Sequence, residues 1–147
     1  MEPRISYITL GVSNLHKSTA FYQQGLGFPT NMTPNGGIVV FATSGTRLSL
    51  YPFAKLAEDA GLPMEENKSK KTLFPGFTLG HCVRNRADVD AVLSQAGKAG
   101  GKIVKPAINT FWGGYSGYFA DPDGYLWEVA FAEVWKFDSD GNLLMGS

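Results

Sequence analysis

Hydrophobic and polar positions follow two rhythms along this chain, and the same succession of rhythms comes round twice. Near the N-terminus Ile8, Leu10 and Val12 alternate with Tyr7, Thr9 and Gly11, the period-two pattern of a strand with one buried face. A helix-like run follows Asn14 and is predicted to span 15–25, with Gly25 closing it. Two further strands, Ile38–Ala42 and Arg47–Tyr51, flank a turn at Thr43-Ser44-Gly45. In the second half Leu79–Asn85 leads into a helix predicted over 86–98. There Val89, Val92, Leu93 and Ala96 fall at i, i+3, i+4 and i+7, and Gly100-Gly101 ends the run. Tyr115–Ala120 then turns at Asp121-Pro122-Asp123-Gly124, a type I turn composition, into Tyr125–Val129.

The two halves are versions of one unit. A shift that carries Val12 onto Val83 also carries Asn14 onto Asn85 and Ala20 onto Ala91. Both asparagines are placed as helix N-caps, whose side-chain oxygens accept from free amides of the first turn. Aligning the turn glycines Gly45 and Gly124 sets Ser49 opposite Glu128. Each half therefore reads strand, helix, three strands. The predicted class is α+β: two βαβββ modules whose curved sheets surround a concave groove. We expect a single domain over 1–147, with modules at 4–52 and 77–132, a linker at 53–76 and a tail at 133–147. Within the linker Phe53–Ala60 is a short helix stopped by Gly61 and Pro63, and Glu65–Lys71 is a solvated charged run.

Composition narrows the function. Hydrophobic residues make up 44% of the chain, enough to bury a sizeable core. Thirteen basic and thirteen acidic residues cancel, so the basic footprint of a nucleic-acid binder is missing. Lys68, Lys70 and Lys71 read as linker charge. No apolar run reaches membrane-spanning length. The lone Cys82 can form no internal disulfide, and the N-terminus lacks signal-peptide character, so a cytoplasmic setting is expected.

Alternation sorts candidate site residues. With Ile8, Leu10 and Val12 on the helix side, Tyr7, Thr9 and Gly11 face the concave side, as do Thr78, Gly80 and Cys82 after the repeat shift. Ser49 and Glu128 come from the last strand of each half, with Tyr118 across from Glu128. A carboxylate between Trp127 and Val129 needs partners, expected from the hydroxyls of Tyr7, Ser49 and Thr78. His81 falls on the helix side as a core histidine, and His16 is read as a structural residue of the first helix. Phe111-Trp112-Gly113-Gly114-Tyr115 opens a strand rather than a helix, so its aromatics suit stacking better than its glycines suit phosphate.

Leu10-Gly11-Val12-Ser13-Asn14-Leu15, Phe21-Tyr22, Leu26-Gly27-Phe28 and the closing run Tyr118–Glu128 resemble the vicinal oxygen chelate superfamily. That superfamily includes glyoxalase I, extradiol dioxygenases and bleomycin-resistance proteins. The resemblance covers about Ile5 to Ala132. It implies a homodimer and, in the metal-dependent members, a divalent ion held by His or Glu at positions that fall here on Tyr7, Ser49, Thr78 and Glu128. Only Glu128 keeps such a side chain, and hydroxyls are weak ligands for transition metals. No cofactor and no metal ligand set is therefore expected, and a divalent metal is disfavoured. The favoured reading is a binding protein for a small, partly apolar molecule, with Tyr7, Thr9, Ser49, Phe53, Thr78, Trp112, Tyr118 and Glu128 as ligand contacts. The alternative is a lyase, isomerase or transferase, or a dioxygenase-like enzyme, acting on a small oxygenated substrate. Glu128 would then be acid–base or metal ligand, with Tyr7 and Thr9 binding an oxyanion. Trp135 and Phe137, beyond the last module strand, are expected on a partner or over the groove.

Overall fold

The protein is seen in a computed structural model that describes residues 1–62 and 74–144. The charged run Glu65–Lys71 and Pro63 lie outside the described residues. The chain is α+β with curved, unclosed sheets. It divides into two compact units, Met1–Phe77 and Thr78–Ser147.

In the first unit β1 (Tyr7–Val12) leads into α1 (Leu15–Ala20), then β2 (Val39–Phe41), β3 (Arg47–Pro52) and α2 (Phe53–Asp59). Asn14 caps α1 as expected, its side chain accepting from Lys17 N at 3.0 Å. The helical region does reach Gly25, but its last turn, Phe21–Gly25, is wound as a π-helix in which Leu26 N donates to Phe21 O. The left-handed residue that turns the chain is Gly27 (φ 80°), not Gly25.

The first sheet has the order β1-β3-β2, with β1 parallel and β2 antiparallel to β3. The additional strand expected between the helix and β2 does not form as a ladder. Pro29 O accepts from Ala42 N, but the Thr30 hydroxyl donates to Val40 O at 2.7 Å and Met32 Sδ meets Val40 N. Side chains thus take backbone groups that a neighbouring strand would have paired. Leu10, Val12, Leu48 and Leu50 form one buried face with Phe21, Tyr22, Val39 and Phe41. Tyr22, Phe28 and Phe41 meet pairwise with centroids 5.7–6.0 Å apart. On the opposite face α2 packs against β1 and β3. A Cβ on Gly11 would lie 2.8 Å from the Phe53 ring and 3.3 Å from Phe53 Cα, so this glycine is what lets α2 sit so close. Part of the segment expected to be a linker thus belongs to the first unit.

The second unit runs β4 (Leu79–Cys82), α3 (Arg86–Lys98), β5 (Lys102–Asn109), β6 (Gly114–Ala120) and β7 (Leu126–Ala132). Its sheet has the order β4-β7-β6-β5, with β4 parallel to β7. Asn85 caps α3 by accepting from Asp88 N at 2.9 Å. The helix ends at Gly100 (φ 105°), where Gly101 N donates to Ala96 O. Val89, Leu93 and Ala96 are buried beneath it, as the i, i+4, i+7 spacing requires.

At the β6–β7 turn the buried Asp121 carboxylate accepts from the amides of Asp123 and Tyr125, both at 2.9 Å, and Gly124 takes φ 89°. The tail folds back within this unit: Trp135 stacks on Trp112 at 5.8 Å, and the Arg84 guanidinium lies 5.2 Å over Phe137. A small hairpin of β8 (Lys136–Phe137) and β9 (Leu143–Leu144) follows, so both tail aromatics find contacts in their own unit.

Candidate functional site

Register decides which polar side chains meet. In the first sheet Thr9 lies directly opposite Ser49, whereas Tyr7 lies opposite Arg47 and is 60% exposed. The Thr9 and Ser49 hydroxyls share a 2.5 Å hydrogen bond, and Ser49 is buried. The hydroxyl at this strand position is therefore satisfied inside its own unit. Phe53, a predicted ligand contact, is engaged in seating α2 over Gly11.

In the second sheet the matching pair is Gly80 opposite Glu128. Thr78 precedes β4 and is exposed. Tyr118 lies across from Glu128 on β6, as alternation predicts, and its hydroxyl donates to Glu128 Oε2 at 2.7 Å. Tyr118, on the neighbouring strand of the same sheet, thus supplies Glu128 with a hydrogen bond. Ser116 and Ala130, opposite each other, occupy the same face, and both are buried. Cys82 pairs with Ala130 one same-face step from Gly80. The result is a carboxylate–phenol pair beside a floor of small side chains. A Cβ on Gly80 would meet nothing within 4 Å, so the space next to Glu128 is open.

Electrostatics follow from this geometry. The hydrogen bond to Glu128, with burial and the carboxylate charge behind it, pushes the Tyr118 phenol from 10.0 up to about 12. Because the folded value is raised, the bond contributes stability that is present below pH 10 and is lost as pH climbs from 10 to about 12. An alkaline absorbance titration should show a phenol ionising near pH 12 that returns toward 10 in Glu128→Gln. Superimposable curves for the two proteins would rule the bond out. Burial, and then the Glu128 charge, also push the Cys82 thiol up, which keeps it protonated at neutral pH.

The remaining predicted residues lie elsewhere. Trp112 stacks on Trp135, and its ring fills the space where a Gly114 side chain would be. His81 is exposed rather than a core residue. Alternation sets it on the helix side, where α3 packs mainly over β5, β6 and β7 rather than over the edge strand β4, and the partial burial that remains lowers the pKa of the imidazole. His16 is an exposed helix residue with Nε2 3.1 Å from Asn35 Oδ1. Ser116 escaped the sequence reading, although its place two residues before Tyr118 was the available signal. Among the described residues no group of three or more His, Cys, Asp or Glu is placed to hold a metal ion. No helix of the described residues is long and apolar enough to cross a membrane.

The family profile described as "Glyoxalase/Bleomycin resistance protein/Dioxygenase superfamily" matches residues 4–129. A glyoxalase-related enzyme from Fulvimarina pelagi is 33% identical over 99% of both chains, with a TM-score of 0.85. A glyoxalase/bleomycin resistance protein/dioxygenase family enzyme from Burkholderia phytofirmans PsJN is 20% identical, with a TM-score of 0.74 over 88% of this chain and 98% of that one. A lactoylglutathione lyase from Agrobacterium tumefaciens is 20% identical, with a TM-score of 0.63 over 92% of this chain and 98% of its own. The last two show the fold alone. No curated protein matches significantly.

Proposed function

Because the chain belongs to the Glyoxalase/Bleomycin resistance protein/Dioxygenase superfamily, we propose that it binds a small, partly apolar molecule without a tightly held metal, on the face that carries Tyr118 and Glu128. The observation that carries this reading is the Tyr118–Glu128 pair beside the open space at Gly80. An aromatic ring, a hydroxyl and a carboxylate around small side chains supply contact area and a few orienting polar groups, the usual make-up of a small-molecule site.

A divalent metal does not fit the donor set. In the first unit the candidate positions are hydroxyls, and Ser49 and Thr9 are already paired to each other. In the second unit Glu128 accepts from Tyr118 through one oxygen, and among the described residues no group of three or more His, Cys, Asp or Glu stands together. One carboxylate among neutral oxygens is a poor site for zinc, nickel or iron.

Metal analysis of protein purified without added ions should find far less than one zinc, nickel, iron or manganese per chain. Stoichiometric metal would overturn the reading. We also propose a homodimer, since edge strand β5 leaves Ile103, Val104 and Ile108 at 39–49% exposure, and the same preparation should sediment as one.

The second reading, a lyase or isomerase with Glu128 as acid–base, draws support from the 33% identical relative described as a glyoxalase-related enzyme. Under it Tyr118 would hold the carboxylate in one orientation, leaving Oε1 to take a proton.

A further inference from the structure

We propose that Glu128 receives the protonated nitrogen of the ligand, an ammonium or amidinium carried on a planar apolar body. This rests on the small-molecule reading above and names the ligand's chemical class.

The case begins with an unbalanced charge. Glu128 is half-buried in a strand between the buried Trp127 and Val129. Among the described residues it has no ion-pair partner. Its hydrogen bond comes from a neutral phenol. A carboxylate offers about four acceptor sites, and one neutral donor to Oε2 leaves Oε1 unengaged. A partly desolvated anion in that condition gains most from a cation that brings its own N–H donors.

Space and neighbours agree with such a guest. Gly80, directly opposite Glu128, leaves its side-chain volume open, and Cys82, Ala130 and Ser116 keep the floor low around it. The Tyr118 ring stands beside the carboxylate and can meet a planar cation by its face. Lys105 is the nearest strand-paired cation, opposite Tyr118 on β5. It is exposed and one strand farther out, so it does not neutralise Glu128. The first unit shows the contrast: there the equivalent position is Ser49, uncharged and bonded to Thr9.

The test uses the full-length protein and three probes of one shape: benzamidinium, neutral benzamide and anionic benzoate, titrated by NMR or calorimetry. Benzamidinium should bind at least about tenfold more tightly than benzamide, and benzoate more weakly still. Glu128→Gln keeps an acceptor for Tyr118 and should erase the preference of benzamidinium over benzamide. Gly80→Leu should weaken the binding of both. Equal affinity for the three probes in the unmodified protein overturns the cation inference while sparing the small-molecule reading. A preference that persists in Glu128→Gln overturns it as well. Binding of none of the probes also overturns it, and the metal analysis above then decides the small-molecule reading alone. The comparison of isosteres needs no variant, so it stands even if Glu128→Gln folds poorly.

Discussion

Replacing Phe41 by alanine should destabilise the protein by about 3–5 kcal/mol and lower its melting temperature by roughly 10 °C or more. Phe41 has no exposed surface and closes an aromatic cluster with Tyr22 and Phe28. Removing the ring forfeits its transfer from water and leaves a cavity that its neighbours can fill only in part. Leu48, opposite Phe41 on β3, is itself buried, and Tyr22, also fully buried, is wedged against Phe21 in a T-shaped contact at 5.0 Å. Phe41→Leu should recover much of the loss because most of the volume returns. Denaturant unfolding of the three proteins checks this, and an alanine variant within about 1 kcal/mol of the parent would show that the cluster collapses without cost.

The second large effect is expected at Gly117. Strand β5 pairs with β6 through two register shifts, between Ile103 and Lys105 and between Lys105 and Ile108, and Pro106 lies in the irregular stretch. The backbone there comes so close to β6 that a Cβ on Gly117 would sit 2.8 Å from Lys105 O and 2.9 Å from Ala107 N. Leu93 of α3, 2.7 Å from the same point, could swing aside, but the two backbone atoms cannot. Gly117→Ala should therefore cost about 1–3 kcal/mol, and Gly117→Val more, with β5 and α3 loosened together. Amide hydrogen exchange would show it as lost protection across 102–109 and 86–98. Unchanged protection in the valine variant would mean that the strand can move away freely.

How much of this was legible beforehand depended on whether a pattern is local. Asn14 and Asn85 act within one helical turn, and Asp121-Pro122-Asp123-Gly124 within one hairpin, so residue type and spacing were enough. Alternation placed Tyr118 across from Glu128 because adjacent antiparallel strands keep step. What covers a face is not written in its period. His81 has the correct parity for the core, yet α3 packs mainly over β5, β6 and β7. Tyr7, Ser49 and Thr78 are expected from alternation to offer their hydroxyls to Glu128, and within each sheet it is the parallel ladder that sets Thr9 opposite Ser49 and Gly80 opposite Glu128. Phe53 looked like a ligand contact, yet its ring lies where Gly11 lacks a side chain. The openness beside Gly80 depends on what every other element leaves empty, which no window of sequence contains.

All three indoles, Trp112, Trp127 and Trp135, lie beyond residue 77, two of them stacked on each other and the third on Phe119 at 5.9 Å. Tryptophan emission is therefore an optical tag on one half of the molecule, supplied by the chain itself, to which the Tyr22–Phe28–Phe41 cluster contributes nothing directly. Far-ultraviolet dichroism, in contrast, samples the helices and strands of both halves. If the two signals shift together when Phe41 is truncated, the halves melt as one cooperative body. If emission stays while ellipticity falls, they melt separately, and the protein behaves as two small folds carried on one chain.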